Sequence, residues 1–348
     1  MPLRLARGRR DDLKTLSPGY FAMVMATGIV AISAHLHGLA AMARGLFWLN
    51  VLFLAALVSA TAARALLHPQ AFAADLRSHS RGVGFFTMAA AAAVFGTELD
   101  LQMADVGLAT VFLAAAAILW LVMTYAELVV LMAERDKPGL AHGLDGGWLV
   151  IVVAPQSVAV LMVLLAAGSD FAATAPALMF AALALWLGGG VLYLWISTLI
   201  VHRYVFVPLV PQDLSPADWI NMGAAAISAL AGATLARHAT LSPVLGEVLP
   251  FVKGLTLFFW AVATAWIPML VALSVWRHLL GGVAIAYQAV DWCGVFPLGM
   301  YSVSTLSLTA IVEAPFLAGV SMAFTFIALA AWLWAFLGFV ASRPGAPP

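Results

Sequence analysis

Few residues in this chain can do chemistry, and their spacing excludes most kinds of it. Glu127 (AELVVLM) and Asp291 (VDWCGVF) are carboxyls set among apolar neighbours. A carboxyl in such a setting carries a proton, pairs with a neighbouring helix, or caps a helix start. Asp291 reads as a cap. Glu127 reads as a bonded carboxyl facing a neighbouring helix, with a proton site as the alternative. His35 and His37 stand two apart, on nearly opposite faces of a helix, so they do not share a metal. The chain has no HExxH, GxxxxGK[ST] or GxSxG motif. Its single cysteine, Cys293, cannot form an internal disulfide. No enzyme, cofactor or metal site is expected. The triplet Gly188-Gly189-Gly190 reads as close helix packing.

The elements that hold these residues are dictated by composition. Of 348 residues, 64% are hydrophobic and 9% charged, against about 45–50% and about 25% in soluble domains. Apolar runs fall at about 19–37, 46–66, 83–97, 107–132, 148–167, 174–201, 217–236, 251–275, 291–312 and 315–340. About 20 helical residues cross a bilayer, and backbone polar groups cannot be left bare in lipid. The runs are continuous rather than alternating, which argues against a β-barrel. The expected fold is all-α and membrane-embedded: one ten-helix domain over 18–340, with tails at 1–17 and 341–348.

Charge sets the orientation. With the N-terminus in the cytoplasm, the inside segments hold Arg4, Arg7, Arg9, Arg10, Lys14, Arg64, Arg77, Arg81, Arg135, Lys137, Arg203, Arg277 and Arg343. Only Arg44, Arg237 and Lys253 fall outside. The positive-inside rule predicts this for ten spans with both ends cytoplasmic. The basic N-terminal stretch reads as a topology anchor rather than a cleaved signal. The outer loops 98–105 and 168–173 carry Glu98, Asp100, Asp105 and Asp170. A formal net charge of zero argues against a nucleic-acid partner. Abundant Ala and Arg in place of Lys fit GC-rich bacterial coding, hence an inner (plasma) membrane.

The spans group as five hairpins, and the odd members share features. The first has Pro18, Thr27 and Gly28; the third Gly82, Gly84 and Thr87; the fifth Pro155-Gln156-Ser157. The seventh has Pro216 and Asn221-Met222-Gly223; the ninth Pro297, Gly299, Ser302, Ser304 and Thr305. A broken helix in a membrane is tolerated where it is buried or lines a wet cavity, and its free N–H groups attract anions. The alternation predicts odd helices inside and even helices facing lipid, with Pro268 in the eighth span as an exception.

Side by side, PGYFAMVMATGIV (18–30), GFFT (84–87), WLVIVVAPQSVAV (148–160), the stretch 193–224, KGLTLFFWAVATAWIP (253–268), VWRH (275–278) and WCGVFPLGMY (292–301) resemble the tellurite-resistance/dicarboxylate transporter family. That family includes plant slow anion channels, fungal malate permeases and fungal sulfite exporters. The match is nearest its bacterial C4-dicarboxylate/tellurite-resistance branch. The resemblance implies five hairpins around a pore, odd helices innermost, in a homotrimer. In the channel branch a phenylalanine of the ninth helix blocks the pore, and the matching residue is Phe296, before Pro297. The lead into this motif differs here, as Trp292-Cys293-Gly294-Val295, and the residues alone favour packing over a gate at Phe296. The implied lining is Thr27, Gly28, Phe86, Thr87, Pro155, Gln156, Asn221, Pro297 and Ser304. The implied function is a gated, channel-like or facilitative permease for a small inorganic or organic anion. The alternatives are a proton-coupled carrier of C4-dicarboxylates or sulfite, and a tellurite-resistance exporter.

Overall fold

A computed structural model describes residues 13–342. The basic tail residues Arg4, Arg7, Arg9, Arg10 and Arg343 lie outside the described residues. Among the described residues, ten helices are long and apolar enough to cross a membrane. In chain order they are α1 Pro18–Leu36, α2 Ala40–Leu67, α3 Gly82–Met103, α4 Val106–Ala133 and α5 Gly146–Ala166. They continue as α6 Ala175–Phe206, α7 Pro216–Arg237, α8 Leu249–Leu280, α9 Ala289–Val312 and α10 Leu317–Ala341. No strand occurs among the described residues.

Burial divides the helices into two rings. In the most apolar stretch of each odd helix, 67–94% of residues are buried, against 11–39% in the even helices. The odd helices pack on one another: α1 on α3 and α9, α5 on α3 and α7, α7 on α9. Each even helix packs against the inner ring. The outer faces carry Leu52, Val111, Val191, Met269 and Leu337, all exposed, as expected of side chains that meet hydrocarbon.

All five inner helices open on a 3-10 turn: Pro18–Phe21, Gly82–Phe85, Gly146–Leu149, Pro216–Trp219 and Ala289–Asp291. The local sequences explain this. Pro18 and Pro216 sit in the first turn, where a missing N–H costs nothing. Ser17 accepts from the Gly19 N–H, and Ser215 from the Ala217 N–H. Asp145 accepts from the Gly147 N–H, and Asp291 from the Gln288 N–H. Pro18 and Pro216 therefore start their helices and do not break them. Among the described residues only Pro155, Pro297 and, in the outer ring, Pro268 lie inside helices.

Close approach fixes the inner ring. A Cβ on Gly223 of α7 would stand 2.9 Å from Pro297 Cγ of α9. The kinked helix thus rests directly on its neighbour's backbone. Two of the Gly triplet pack closely, since a Cβ on Gly189 would meet Gln156 and one on Gly190 would meet Phe259, whereas Gly188 faces open space. At the face where the inner helices begin, Asp75 lies between two cations. Arg64 Nη2 approaches it to 2.7 Å and Arg81 Nε to 2.7 Å. Both arginines also donate to backbone carbonyls of the segment before α1, at Lys14, Thr15 and Leu16.

The third span differs most from expectation. The apolar run at 83–97 predicts a short helix followed by an acidic loop. The structure continues α3 through Met103 with a π-helical turn over Leu99–Met103. Glu98 is therefore not in a loop but buried within the helix, fully shielded from solvent. A hydrogen bond from Asn50 Nδ2 on α2 to Glu98 Oε2 allows this burial.

Candidate functional site

A cavity of about 110 Å³ opens among the five inner helices and touches no outer helix. Its walls are Ile29, Ile32 and Leu36 of α1, Val94, Thr97 and Leu101 of α3, and Ser157, Val160 and Leu164 of α5. Ile227, Leu230, Ala233 and Thr234 of α7 and Met300, Val303 and Ser307 of α9 complete them. These recur three and four apart, the spacing of a single helix face. All lie in the second half of their helices except Met300, at the middle of α9, so the cavity opens at the end where the inner helices finish. Arg237 and the adjoining His238 stand at that mouth.

Register shows where the cavity stops. One turn earlier than Ile29, Val94, Ser157, Ile227 and Met300 come Met25, Ala90, Val153, Gly223 and Phe296. All five are buried. Phe296 is the bulkiest member of that layer, and Gly223 leaves room beside it for the Phe296-Pro297 pair. A second cavity of about 250 Å³ lies at the opposite face. It sits between rings, lined by Asp218 of α7, Ser274 and Arg277 of α8, Asp291 of α9 and Trp334 of α10, so it is off the central axis.

The cavity is mostly apolar, with a few hydroxyls and no fixed charge below its mouth. Thr97, Ser157 and Thr234 donate to the carbonyls of Ala93, Val153 and Leu230, four residues back, at 3.0, 2.9 and 2.8 Å. Turning one of these hydroxyls toward a solute exchanges one hydrogen bond for another.

The polar residues expected to line a pore point elsewhere. Thr27 accepts from Trp332 Nε1 of α10 at 3.0 Å. Thr87 donates to the carbonyls of Pro18 and Gly84 at 3.0 and 2.6 Å. Gln156 donates to the Trp186 carbonyl at 3.1 Å, Asn221 to the Asp218 carbonyl at 2.8 Å and Ser304 to the Tyr301 carbonyl at 3.1 Å. Gly28 backs onto α2 and α3, Phe86 is buried two turns from Val94, and Pro155 is buried within its helix. None of these is a wall of the central cavity. Packed apolar helices offer a polar side chain no water, so each takes the nearest protein partner. Glu127 is buried on α4 against Gly82, at the start of α3, and its two oxygens have no hydrogen-bond partner among the described residues. Sequence reasoning missed Thr97, Thr234 and Ser307 as wall residues. Counting turns from Phe296 along α9 would have found Ser307.

His37, just beyond α1, joins a buried hydroxyl cluster. Its Nε2 lies 3.0 Å from Ser321 Oγ, and Ser33, Ser302 and Thr325 interlink at 2.8–2.9 Å. The cluster pins α1, α9 and α10 together.

The family model described as voltage-dependent anion channel matches residues 15–340, which takes in all ten helices but the last residue of α10. The chain belongs to the voltage-dependent anion channel family. An uncharacterized transporter of Methanocaldococcus jannaschii, MJ0576, is 25% identical over 313 residues, 87% of this chain and 86% of that protein. A second from the same organism, MJ0762, is 24% identical over 303 residues, 84% of each chain. An uncharacterized membrane protein of Mycobacterium tuberculosis, Rv1735c, is 37% identical over 149 residues, 43% of this chain and 75% of that protein. In this voltage-dependent anion channel family member the matched region includes both rings and every wall of the cavity.

Proposed function

We propose that this multi-pass membrane protein passes small anions along the axis of its inner ring, with Phe296 as the apolar constriction. The observation that carries this reading is a cavity walled by all five inner helices and closed one turn deeper by the Phe296 layer. A dry apolar layer resists an ion until its bulky ring moves aside. Arg237 at the mouth draws anions in, and the absence of fixed cations further down keeps binding weak, which suits flux. Family membership supports anion transport as the function. The reading includes a facilitative permease with one conduit per subunit of a homotrimer. It places the face bearing Lys14, Arg64, Arg81, Arg203 and Arg277 in the cytoplasm of a bacterial inner membrane.

The test is a flux panel in liposomes carrying the purified full chain, with chloride, nitrate, sulfite, malate and succinate. Uptake of at least one anion is expected, and Phe296→Ala should raise its rate. Unchanged uptake by a folded Phe296→Ala protein removes the gate. No uptake of any anion by the unaltered chain removes the reading itself.

A further inference from the structure

Behind the cavity wall, α1, α2 and α3 meet around a single carboxyl. Glu98 and Asn50 are both completely buried. Asn50 Nδ2 donates to Glu98 Oε2. The remaining oxygens, Glu98 Oε1 and Asn50 Oδ1, have no hydrogen-bond partner among the described residues. Both are acceptors when the carboxyl is ionised, so the pair lacks a hydrogen. A carboxylic acid supplies it: an O–H on Oε1 is the donor that an amide oxygen accepts, as the amide N–H already serves Oε2.

No charge nearby offers an alternative. The ionisable residues of the elements around Glu98 are Tyr20 and His35 of α1, His37 after it, Arg44 and Arg64 of α2, and Asp100 and Asp105 beyond it in the chain. Tyr125 and Glu127 of α4 complete them, and α5 has none. None forms a hydrogen bond or ion pair with Glu98 among the described residues. An isolated carboxylate in so dry a seam is costly, whereas the neutral acid is not.

The seam adjoins the proposed conduit. A Cβ on Gly28 would stand 2.7 Å from Val94 Cγ1 and 2.9 Å from Glu98 Oε2. Val94 is a wall of the cavity, as are Ile29 and Thr97, the chain neighbours of Gly28 and Glu98. One layer of side chains thus separates the carboxyl from the cavity.

We propose that Glu98 is a proton-binding site of the transport cycle, protonated while the wall is closed and releasing its proton when an anion passes and the wall is wetted. Asn50 positions the carboxyl and accepts the acid hydrogen. The inference rests on the anion-conduit reading and replaces its facilitative form with a proton-coupled one. Ionising Glu98 requires α1 and α3 to admit water at Gly28, so the proton leaves only when the cavity opens.

The experiment uses the full chain in liposomes that contain a trapped fluorescent pH dye, with an inward succinate or nitrate gradient and the membrane potential clamped. Anion uptake and lumen pH are read together. The unaltered chain should acidify the lumen as the anion enters, and an inward proton gradient should concentrate the anion. Glu98→Gln keeps the shape of the side chain, and it should retain downhill uptake while losing both acidification and concentration. Glu98→Asp should restore part of each. Uptake without acidification in the unaltered chain overturns the proton site and leaves the conduit standing, as does full acidification in Glu98→Gln. Absence of any uptake overturns both. If Glu98→Gln does not assemble, Asn50→Ser leaves the carboxyl in place. It should shift the pH at which concentrative uptake is half-maximal, and an unchanged midpoint counts against the site.

Discussion

Asp75 answers two arginines at once, and its removal leaves the buried Arg64 guanidinium without its counter-ion. Breaking such a pair from one side costs about 3–5 kcal/mol. Asp75→Ala should therefore lower the unfolding free energy in detergent by that order, while Asp75→Glu recovers part of it. Asp145, just before α5, makes a pH-dependent contribution. Burial pushes its carboxyl above the usual range, and the Asp218 charge adds to this; the Gly147 N–H and Arg203 act the other way. A carboxyl raised in the folded state binds its proton more tightly there than in the unfolded chain. Its effect on stability is most favourable below the unfolded value of about 3.9. It becomes less favourable as pH rises from there through the folded value. Asp145→Asn keeps an acceptor for Gly147 and should flatten this component. Melting temperatures of both proteins, compared from about pH 4 upward, check it. At this scale the sequence was least legible. The types of Thr27, Gln156 and Asn221 were plain, but each residue step rotates a side chain by about 100°, and a few degrees of helix rotation decide whether a hydroxyl meets a cavity or Trp332. Glu98 was hidden because Asp100 and Gln102 after it look like a loop, and nothing local announces Asn50.

The helices themselves were readable. Apolar runs long enough to span gave ten elements, and small, polar and proline residues on alternate runs gave the inner ring. Hydropathy left the ends out of reach: α6 continues to Phe206 and α8 to Leu280, beyond their apolar runs, because helical hydrogen bonding does not stop where lipid stops. The five 3-10 openings were also invisible as a set, since PGYF, GVGF, GGWL, PADW and AVD share little but small or turn-forming residues. The contact between α7 and α9 gives a prediction at this scale. With Pro297 already 2.9 Å from the place of a Cβ, Gly223→Val forces two inner helices apart. Overpacking of this kind costs about 1–3 kcal/mol. The loss should appear as a lower melting temperature, and Gly246→Val, where a Cβ meets open space, should show no comparable loss.

For the whole molecule, the charge asymmetry and the ring division describe one object, a shell of lipid-facing helices around a polarised inner wall. Arg237 stands at the cavity mouth, while the other described cations crowd the opposite face, apart from Arg44 and Lys253. A charge at such an entrance changes arrival rates by about 10–1,000-fold at low ionic strength. Arg237→Glu should slow anion entry from that side within this range, and added salt should narrow the difference. Equal rates at low salt would show that the mouth does not steer.

The five inner helices also share one direction, each beginning on its 3-10 turn at the same face. A wall built this way has a head and a tail, and its peptide dipoles add rather than cancel. Asp145, Asp218 and Asp291 temper three of the five heads. An ion crossing such a wall climbs a different slope in each direction, so current against voltage should bend at zero, a rectifier made of backbone.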